Sequence, residues 1–585
     1  MTPSRASWAA ALLAVALAAA LLVPGLGRAP FDDPGEGQHA EIAREAWATG
    51  DWLTLRLNGV RYVDKPPLLY WLTGSAFALF GATEWAARLA PLGGALLAVG
   101  ATALLGARML GARLGVFAGA ALIASPLFAA FGGYVRPETL FAASVQWGFT
   151  GLLLGAREPE HAGRRWQLLG CAALGAASLS KDPLGLIGPL FAVGAALALG
   201  GRLRPIGAWL PPAGLALMLL VGAGWYAAAA VQTPGVLWYT VIDNHVLNVA
   251  RLRRFPDEDV PLSAPEFLAV AGLGAFPWII AAALCVVSLV RRRAWRRPEE
   301  APWVTLALWT VGLLAAVALS PFRLPHYGVA AYPAVALLAA RAWWERDARP
   351  RPLIALHVLV FAALAVVCAI AAAGDGREFT GAVFGAADVY TRKEAALGQA
   401  SPYPPWSELR PLVAAAAAIF AAGGAALAVA LARGAGVLGR WAALATMLAL
   451  TPVVMAGLSA VASARAVAPM AAEARRQLGP RDLLVHEGPI ENSGALEFYS
   501  GRRPILLDAT RSVLGFGATF ADARETFWDA ERLRREQQAG RRILLVTPRA
   551  PERSVVAFLP PESLRLILAQ NGRWLYDLRP APGLR

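Results

Sequence analysis

Residues 35–72 read GEGQHAEIAREAWATGDWLTLRLNGVRYVDKPPLLYWL. This is a long polar interruption in an oily chain. The apolar run before it extends from about Trp8 to Leu26, and the carboxylates of FDDPGE, residues 31–36, stand between the two. From Gln38 to Ala48, the placing of Ala40, Ile42, Ala43, Ala46 and Trp47 predicts an amphipathic helix lying on the membrane surface. Further on, Pro66 and Pro67 break any helix and leave Asp64 and Lys65 at an ordered bend. Tyr70 and Trp71 suit the aromatic belt of a membrane–water interface.

The rest of the chain says why such a loop matters. Of 585 residues, 57% are hydrophobic, too many for a soluble protein of this length. Hydropathy predicts a polytopic α-helical membrane protein of about 13 spans, near 8–27, 87–106, 114–133, 138–156, 167–181, 183–200, 206–230, 266–290, 303–320, 325–341, 353–373, 411–432 and 437–462. The first is read as an uncleaved helix, because no clear small-residue cleavage site precedes the acidic loop. The net charge of +14 does not indicate nucleic acid, since the basic residues form short clusters between spans. Cys171, Cys285 and Cys368 all fall in apolar spans and predict neither disulfide nor metal cluster.

Arginine sets the orientation. Arg108 and Arg113, Arg157 with Arg164 and Arg165, Arg202 and Arg204, RRRAWRR at 291–297, Arg341 with Arg346, Arg349 and Arg351, and Arg433 with Arg440 mark alternate loops as cytoplasmic. The intervening loops then face outward, and with an odd span count so does the tail. Residues 1–463 form the transmembrane domain, with first periplasmic loop 28–86 and its juxtamembrane helices, and 464–585 a small periplasmic α/β domain. In the tail, DLLVHEG, PILLDA, RRILLVTP and RWLYDL read as strands, and ADARETFWDAERLRREQQAG as an amphipathic helix ending at Gly540. Many Gly and Ala residues in the spans predict close helix packing.

The first loop, followed in order by VRPETL, SLSKDPLGLIGP, the Asp243-Asn244-His245 turn and FRLPHYGVAAYP, resembles the polyprenyl-phosphate-dependent glycosyltransferases with the C-type membrane fold. That group contains the protein O-mannosyltransferases and the lipid A aminoarabinose transferase. The resemblance covers roughly residues 8–345, and ENSGALEFYSGRR in the tail resembles the periplasmic domain of bacterial members. It implies transfer of a sugar from a polyprenyl-phosphate donor to a periplasmic-side acceptor (lipid A, envelope glycan or protein) at the bacterial inner membrane.

Such a reaction needs a carboxylate for the acceptor proton and cations for the leaving phosphate, on the side a lipid-borne sugar reaches. The candidate catalytic carboxylates are Glu36, Glu138 and Asp33. The candidate phosphate partners are Lys65, Arg136, Lys181 and Arg323, with His326 and Tyr327 as substrate contacts. The resemblance also implies that Asp64 and His245 help hold a divalent metal. His39, His161, His357 and His486 are read as ordinary structural histidines. The chain departs from the family where Asp-Glu-x-Arg is usual: here Gly35-Glu36-Gly37-Gln38 places glycine at the aspartate and glutamine at the arginine. Either Glu36 or Asp33 substitutes, or the base is Glu138, at a position where the family usually has Asp. Two rivals stand beside the transferase: a lipid or sugar transporter, for which no internal repeat is evident, and a catalytically inactive, acceptor-binding relative.

Overall fold

The computed structural model of the protein describes residues 3–256, 260–345, 351–387, 392–393 and 402–579. It is a mostly helical, multi-pass membrane protein. Among the described residues, seven helices are long and apolar enough to span a bilayer: Arg5–Gly25, Glu84–Leu110, Pro212–Gln232, Pro298–Leu319, Arg351–Ala373, Trp406–Arg433 and Gly436–Gln477. Two bent pairs raise the number to nine if each is one span: Ala112–Ile123 with Pro126–Gly132, bent by 75°, and Ala264–Gly274 with Trp278–Arg291, bent by 106°.

The segments expected to span at 138–156, 167–181 and 325–341 are helices Glu138–Gly155, Glu160–Ser180 and Tyr332–Glu345. They are too short or too polar to count by length and composition alone. Gln146, Thr150 and Gln167 are buried within them by neighbouring helices. Arg346 and Arg349 of the charge pattern, and most of 388–401, lie outside the described residues.

Small residues set the helix spacing. A side chain added at Gly151 would strike the backbone of Gly170 on the next helix, and one at Gly115 would strike Ala103 and Ala107. The outer surface of the bundle stays apolar, with Leu12, Phe191, Leu220, Leu319, Leu359 and Ile370 all exposed, as a lipid-facing surface requires.

The first loop is built on two elements. Its helix, Gly37–Thr49, ends on Gly50 in the left-handed conformation. A two-stranded hairpin follows, β1 (Arg56–Leu57) and β2 (Val60–Arg61), paired Arg56 to Arg61 and Leu57 to Val60. Its turn is Asn58-Gly59, both at positive φ (57° and 78°), as a tight hairpin turn demands. Asp64 and Lys65 do sit at a bend, before the helix Leu68–Phe80.

The C-terminal part carries a six-stranded sheet in the order β5-β4-β3-β6-β8-β7: β3 Leu483–Glu487, β4 Ile505–Leu507, β5 Phe527–Trp528, β6 Ile543–Thr547, β7 Leu564–Gln570 and β8 Arg573–Leu578. β3, β4, β5 and β6 run parallel, and β8 and β7 are antiparallel additions. Four strands fall where the sequence marks them, and β5 and β7 are new. The expected helix over 521–540 is confined to Ala530–Gln538. Phe527 and Trp528 are drawn into pairing with β4, and Asp529 caps the shortened helix by accepting from the Arg532 amide.

The loop helix does not lie open on the membrane surface. Gly37, His39, Ala40, Glu41, Ile42, Ala43, Glu45 and Ala46 are all buried. One hydrophobic core runs from Phe31, Ala40, Ile42 and Tyr70 to Val467, Met470, Leu496 and Leu544, so first loop and C-terminal sheet share an interior. Tyr70, expected in the interface belt, is fully buried in this core. At the closest approach, Gly494 lies against the Gln38 backbone, where an added side chain would overlap the Gln38 amide. Gly494 has ordinary helical torsions, so the constraint is purely steric. Gly494→Ala is expected to destabilise the folded protein by about 1–3 kcal/mol, read as a lower melting temperature in detergent.

Candidate active site

The ends of several helices converge on one buried carboxylate. Glu138 opens the helix Glu138–Gly155, directly after the Tyr134–Pro137 turn, and is 2% exposed. Its Oε1 is 3.2 Å from Lys181 Nζ and 3.4 Å from His326 Nε2, and its Oε2 is 3.9 Å from Arg136 Nε. Oε2 accepts no hydrogen bond among the described residues. Tyr327 places its ring 4.9 Å from the Lys181 ammonium, a cation–π contact that fixes the lysine's direction. Arg136, Glu138, Lys181, His326 and Tyr327, scattered over nearly 200 positions of sequence, thus form one cluster.

Lys65 stands beside it, paired with Asp64. Burial raises Asp64, but the charge and hydrogen bond of Lys65, with Arg253 and His39, together outweigh it, and the carboxyl lies below its ordinary value. Asp64 Oδ1 also receives Asn244 Nδ2 at 3.4 Å and the Tyr239 hydroxyl at 3.5 Å. The segment Trp238–Leu247 is thereby drawn over the bend. His245 anchors it further, with Nε2 2.9 Å from Asp182 and Nδ1 2.6 Å from the Thr240 carbonyl. The hydrogen bond to Asp182 raises the His245 pKa against the effect of burial. The C-terminal part closes the far side: Tyr239 lies against Phe516, ring centres 4.9 Å apart, and Phe255 meets the same ring edge-on.

A metal between Asp64 and His245 fits this arrangement poorly. Both ring nitrogens of His245 have protein partners, and Asp64 faces Lys65. Asp64, Asp182 and His245 do not form a three-residue ligand cluster; among the described residues the one such cluster is Glu41, Glu45 and Glu497. Those carboxylates are already matched by Arg44 and Arg503.

The first-loop carboxylates are placed differently from Glu138. Glu36 receives Arg88 through both oxygens, at 2.9 and 2.7 Å, and also the amides of Val135 (2.9 Å) and Asp32 (3.1 Å). Arg88 in turn caps the carbonyls of Leu26, Ala29 and Pro30. Asp33 accepts the amides of Val467 and Ala495, each at 3.1 Å, and so ties the loop to the C-terminal part. Arg323 donates to the carbonyls of Leu262 (2.7 Å), Ala318 and Ser320, supporting its own turn. The missing side chain at Gly35 has a counterpart: its space is taken by the Tyr134 hydroxyl, which donates to Asp32 at 2.6 Å. Asp32, Tyr134, Arg88, Asp182 and Asn244 were not singled out in the sequence. Their partners lie 52 to 180 residues away, beyond any local pattern.

Burial pushes the Asp33 carboxyl up to about 7. A carboxyl whose pKa is higher in the folded chain holds its proton longer there, so stability falls as pH rises. The loss is expected between about pH 4 and about pH 7 and levels off above, at no more than about 1.4 kcal/mol per pH unit. Melting temperatures of wild type and Asp33→Asn across that range check it: the difference between them carries the slope.

Residues 64–226 match the sequence model of the family described as dolichyl-phosphate-mannose-protein mannosyltransferase. An undecaprenyl phosphate-alpha-4-amino-4-deoxy-L-arabinose arabinosyl transferase of Pseudomonas aeruginosa (strain LESB58) is 29% identical over 347 residues, 57% of this chain and 59% of its own. The equivalent transferase 1 of Sodalis glossinidius is 32% identical over 279 residues, 46% of this chain and 47% of its own. The chain thus spans less than two thirds of the length of these relatives. The crystal structure of ArnT from Cupriavidus metallidurans bound to undecaprenyl phosphate superposes with a TM-score of 0.78 at 23% identity, covering 98% of both chains. Its apo form does so over 97% of both. The chain is similar to the polyprenyl-phosphate-dependent membrane glycosyltransferases in sequence and has the ArnT-like membrane fold.

Proposed function

We propose that the protein is an inner-membrane glycosyltransferase that moves a sugar from a polyprenyl-phosphate donor to an acceptor on the periplasmic side, with Glu138 as the base. The observation that carries this reading is the single buried carboxylate ringed by Lys181, Arg136 and His326. An acceptor oxygen attacks the anomeric carbon. The bond from that carbon to the phosphate oxygen breaks with its electron pair on the phosphate, and the acceptor proton passes to Glu138. Lys65, Arg136 and Lys181 take up the charge of the departing polyprenyl phosphate. Arrival of the anionic phosphate draws these cations from Glu138 and frees its carboxylate to receive the acceptor proton. His326 and Tyr327 orient Lys181 and the donor, while Glu36, Asp33 and Arg323 hold the loop and turn in place.

The relatives' name makes 4-amino-4-deoxy-L-arabinose on undecaprenyl phosphate the first donor to try, with lipid A, envelope glycan and protein as the acceptor classes to test against it. The thirteen-span topology, the division at 463/464 and the outward orientation of the site belong to the same proposal. They are supported by the arginine clusters and by the meeting of first loop and C-terminal sheet around one core. The test uses purified protein in lipid, a panel of polyprenyl-phosphate sugars and envelope lipid extract, with released polyprenyl phosphate and product read by mass spectrometry. Acceptor-dependent release with one sugar supports the transferase. Binding of polyprenyl phosphate without release from any donor favours the inactive relative, and movement of the lipid without bond cleavage the transporter.

A further inference from the structure

Among the buried side chains around the cleft that have an unmatched polar atom, one is an imidazole on the loop helix. His39 is 1% exposed on the loop helix. Its Nδ1 lies 2.9 Å from the Tyr70 hydroxyl, and its Nε2 has no hydrogen-bond partner among the described residues. A buried ring nitrogen left so is uncommon and calls for a partner. The charges acting on this ring are Arg136, Lys65 and Asp64, the groups beside the proposed phosphate position. Burial, and then those two cations, hold the imidazole well below its ordinary range, so the ring is neutral. A neutral ring carries one N–H. If Tyr70 donates to Nδ1, that hydrogen is on Nε2. Arg136 and Lys65 are donors themselves and cannot accept it. Asp64, the nearby acceptor, is taken by Lys65, Asn244 and Tyr239. Three donors therefore stand in a space where the unmatched carboxylate oxygen of Glu138, 3.9 Å from Arg136 Nε, takes a hydrogen bond from none of them, and an anion completes it.

We propose that His39 binds substrate, donating from Nε2 to an oxygen of the polyprenyl-phosphate group, with Tyr70 fixing the ring's tautomer. This rests on the donor reading of Lys65 and Arg136. His39 then completes a phosphate cradle with one neutral, directional donor beside two cations, which favours an oxygen in one position over a loosely held ion. Sequence pattern alone marks this residue as an ordinary buried histidine on a helix face.

The test uses the full chain in lipid nanodiscs, with polyprenyl monophosphate and inorganic phosphate as separate probes. His39→Phe keeps the ring volume and loses the donor. It is expected to weaken polyprenyl monophosphate ten- to hundredfold. His39→Gln, which retains an N–H at similar reach, recovers most of that affinity, and Tyr70→Phe loses a smaller part. A matching loss with inorganic phosphate assigns the contact to the phosphate itself. A loss confined to the lipid probe, or equal weakening in the Phe and Gln variants with a lowered melting temperature, makes the role one of packing and overturns the proposal. So does wild-type affinity in a folded His39→Phe protein. If Lys65→Met also binds normally, it is the donor reading that fails, and the two failures are told apart.

Discussion

Replacing Glu138 with Gln is expected to lower turnover about a thousandfold while the affinity for the proposed polyprenyl-phosphate donor changes by less than about threefold. General-base contributions run roughly 10²–10⁴-fold, and glutamine keeps the shape and an acceptor oxygen for Lys181 while losing the ability to take a proton. The expected split is informative because a second role is open to this residue. Glu138 is also the anchor of Lys181, at 3.2 Å, and lies within 3.4 Å of His326. If anchoring were its whole contribution, the glutamine variant would bind donor poorly and turn over normally once saturated. Glu138→Asp tests geometry with the base retained: the carboxylate withdraws by one methylene, and an intermediate loss in kcat with little change in donor KM is expected. Steady-state kinetics with a saturating acceptor, beside donor binding measured without acceptor, separate these outcomes. Full activity in Glu138→Gln would remove Glu138 from the mechanism.

The second large effect is on folding. Arg88→Met should destabilise the protein by about 3–5 kcal/mol, because it leaves the Glu36 carboxylate buried without its partner. Both side chains are nearly sealed, with 5% of Arg88 and 1% of Glu36 exposed. The guanidinium also caps three carbonyls at the end of the first span, which lose their donor at the same time. Glu36→Gln combined with Arg88→Met removes the unpaired charge and should recover a large part of the loss. That recovery distinguishes a charge effect from simple cavity formation, which the double variant would not relieve. Thermal unfolding followed by intrinsic fluorescence is practical in a chain with 20 tryptophans. Arg88→Met melting like wild type would show that Glu36 is protonated or hydrated in the folded protein.

These two expectations also mark how far the sequence could be read. Glu138, Lys181, His326 and Tyr327 were legible because each sits in a short polar turn between apolar spans, where a charged group has little structural reason to be. Asp64 and Lys65 were legible because two prolines hold them at a bend. Glu36 and Asp33 looked equally suited to chemistry, since a carboxylate after a span carries no mark of its partner. The partners, Arg88 for one and the amides of Val467 and Ala495 for the other, lie 52, 434 and 462 residues away. His39 was passed over for the same reason: its significance depends on Tyr70, Lys65 and Arg136 meeting around it. The Asn58-Gly59 hairpin went unread in spite of its dipeptide, because its strands are only two residues each. β7 was missed as well, being a strand with no buried residue.

The hydrogen bonds that hold Asp33 have a consequence for how the protein is made. A ribosome adding about 5–20 residues per second reaches Val467 roughly 20–90 s after it has placed Asp33, because the two are separated by 434 residues. For that interval the nascent first loop has no mate for its acidic end, and the core it shares with the tail is half built. The membrane-inserted portion therefore waits without the tail's half of that core. The candidate site acquires its final walls only when translation is almost over. A chain cut short anywhere before the tail would lack the residues that Asp33 and the shared core depend on.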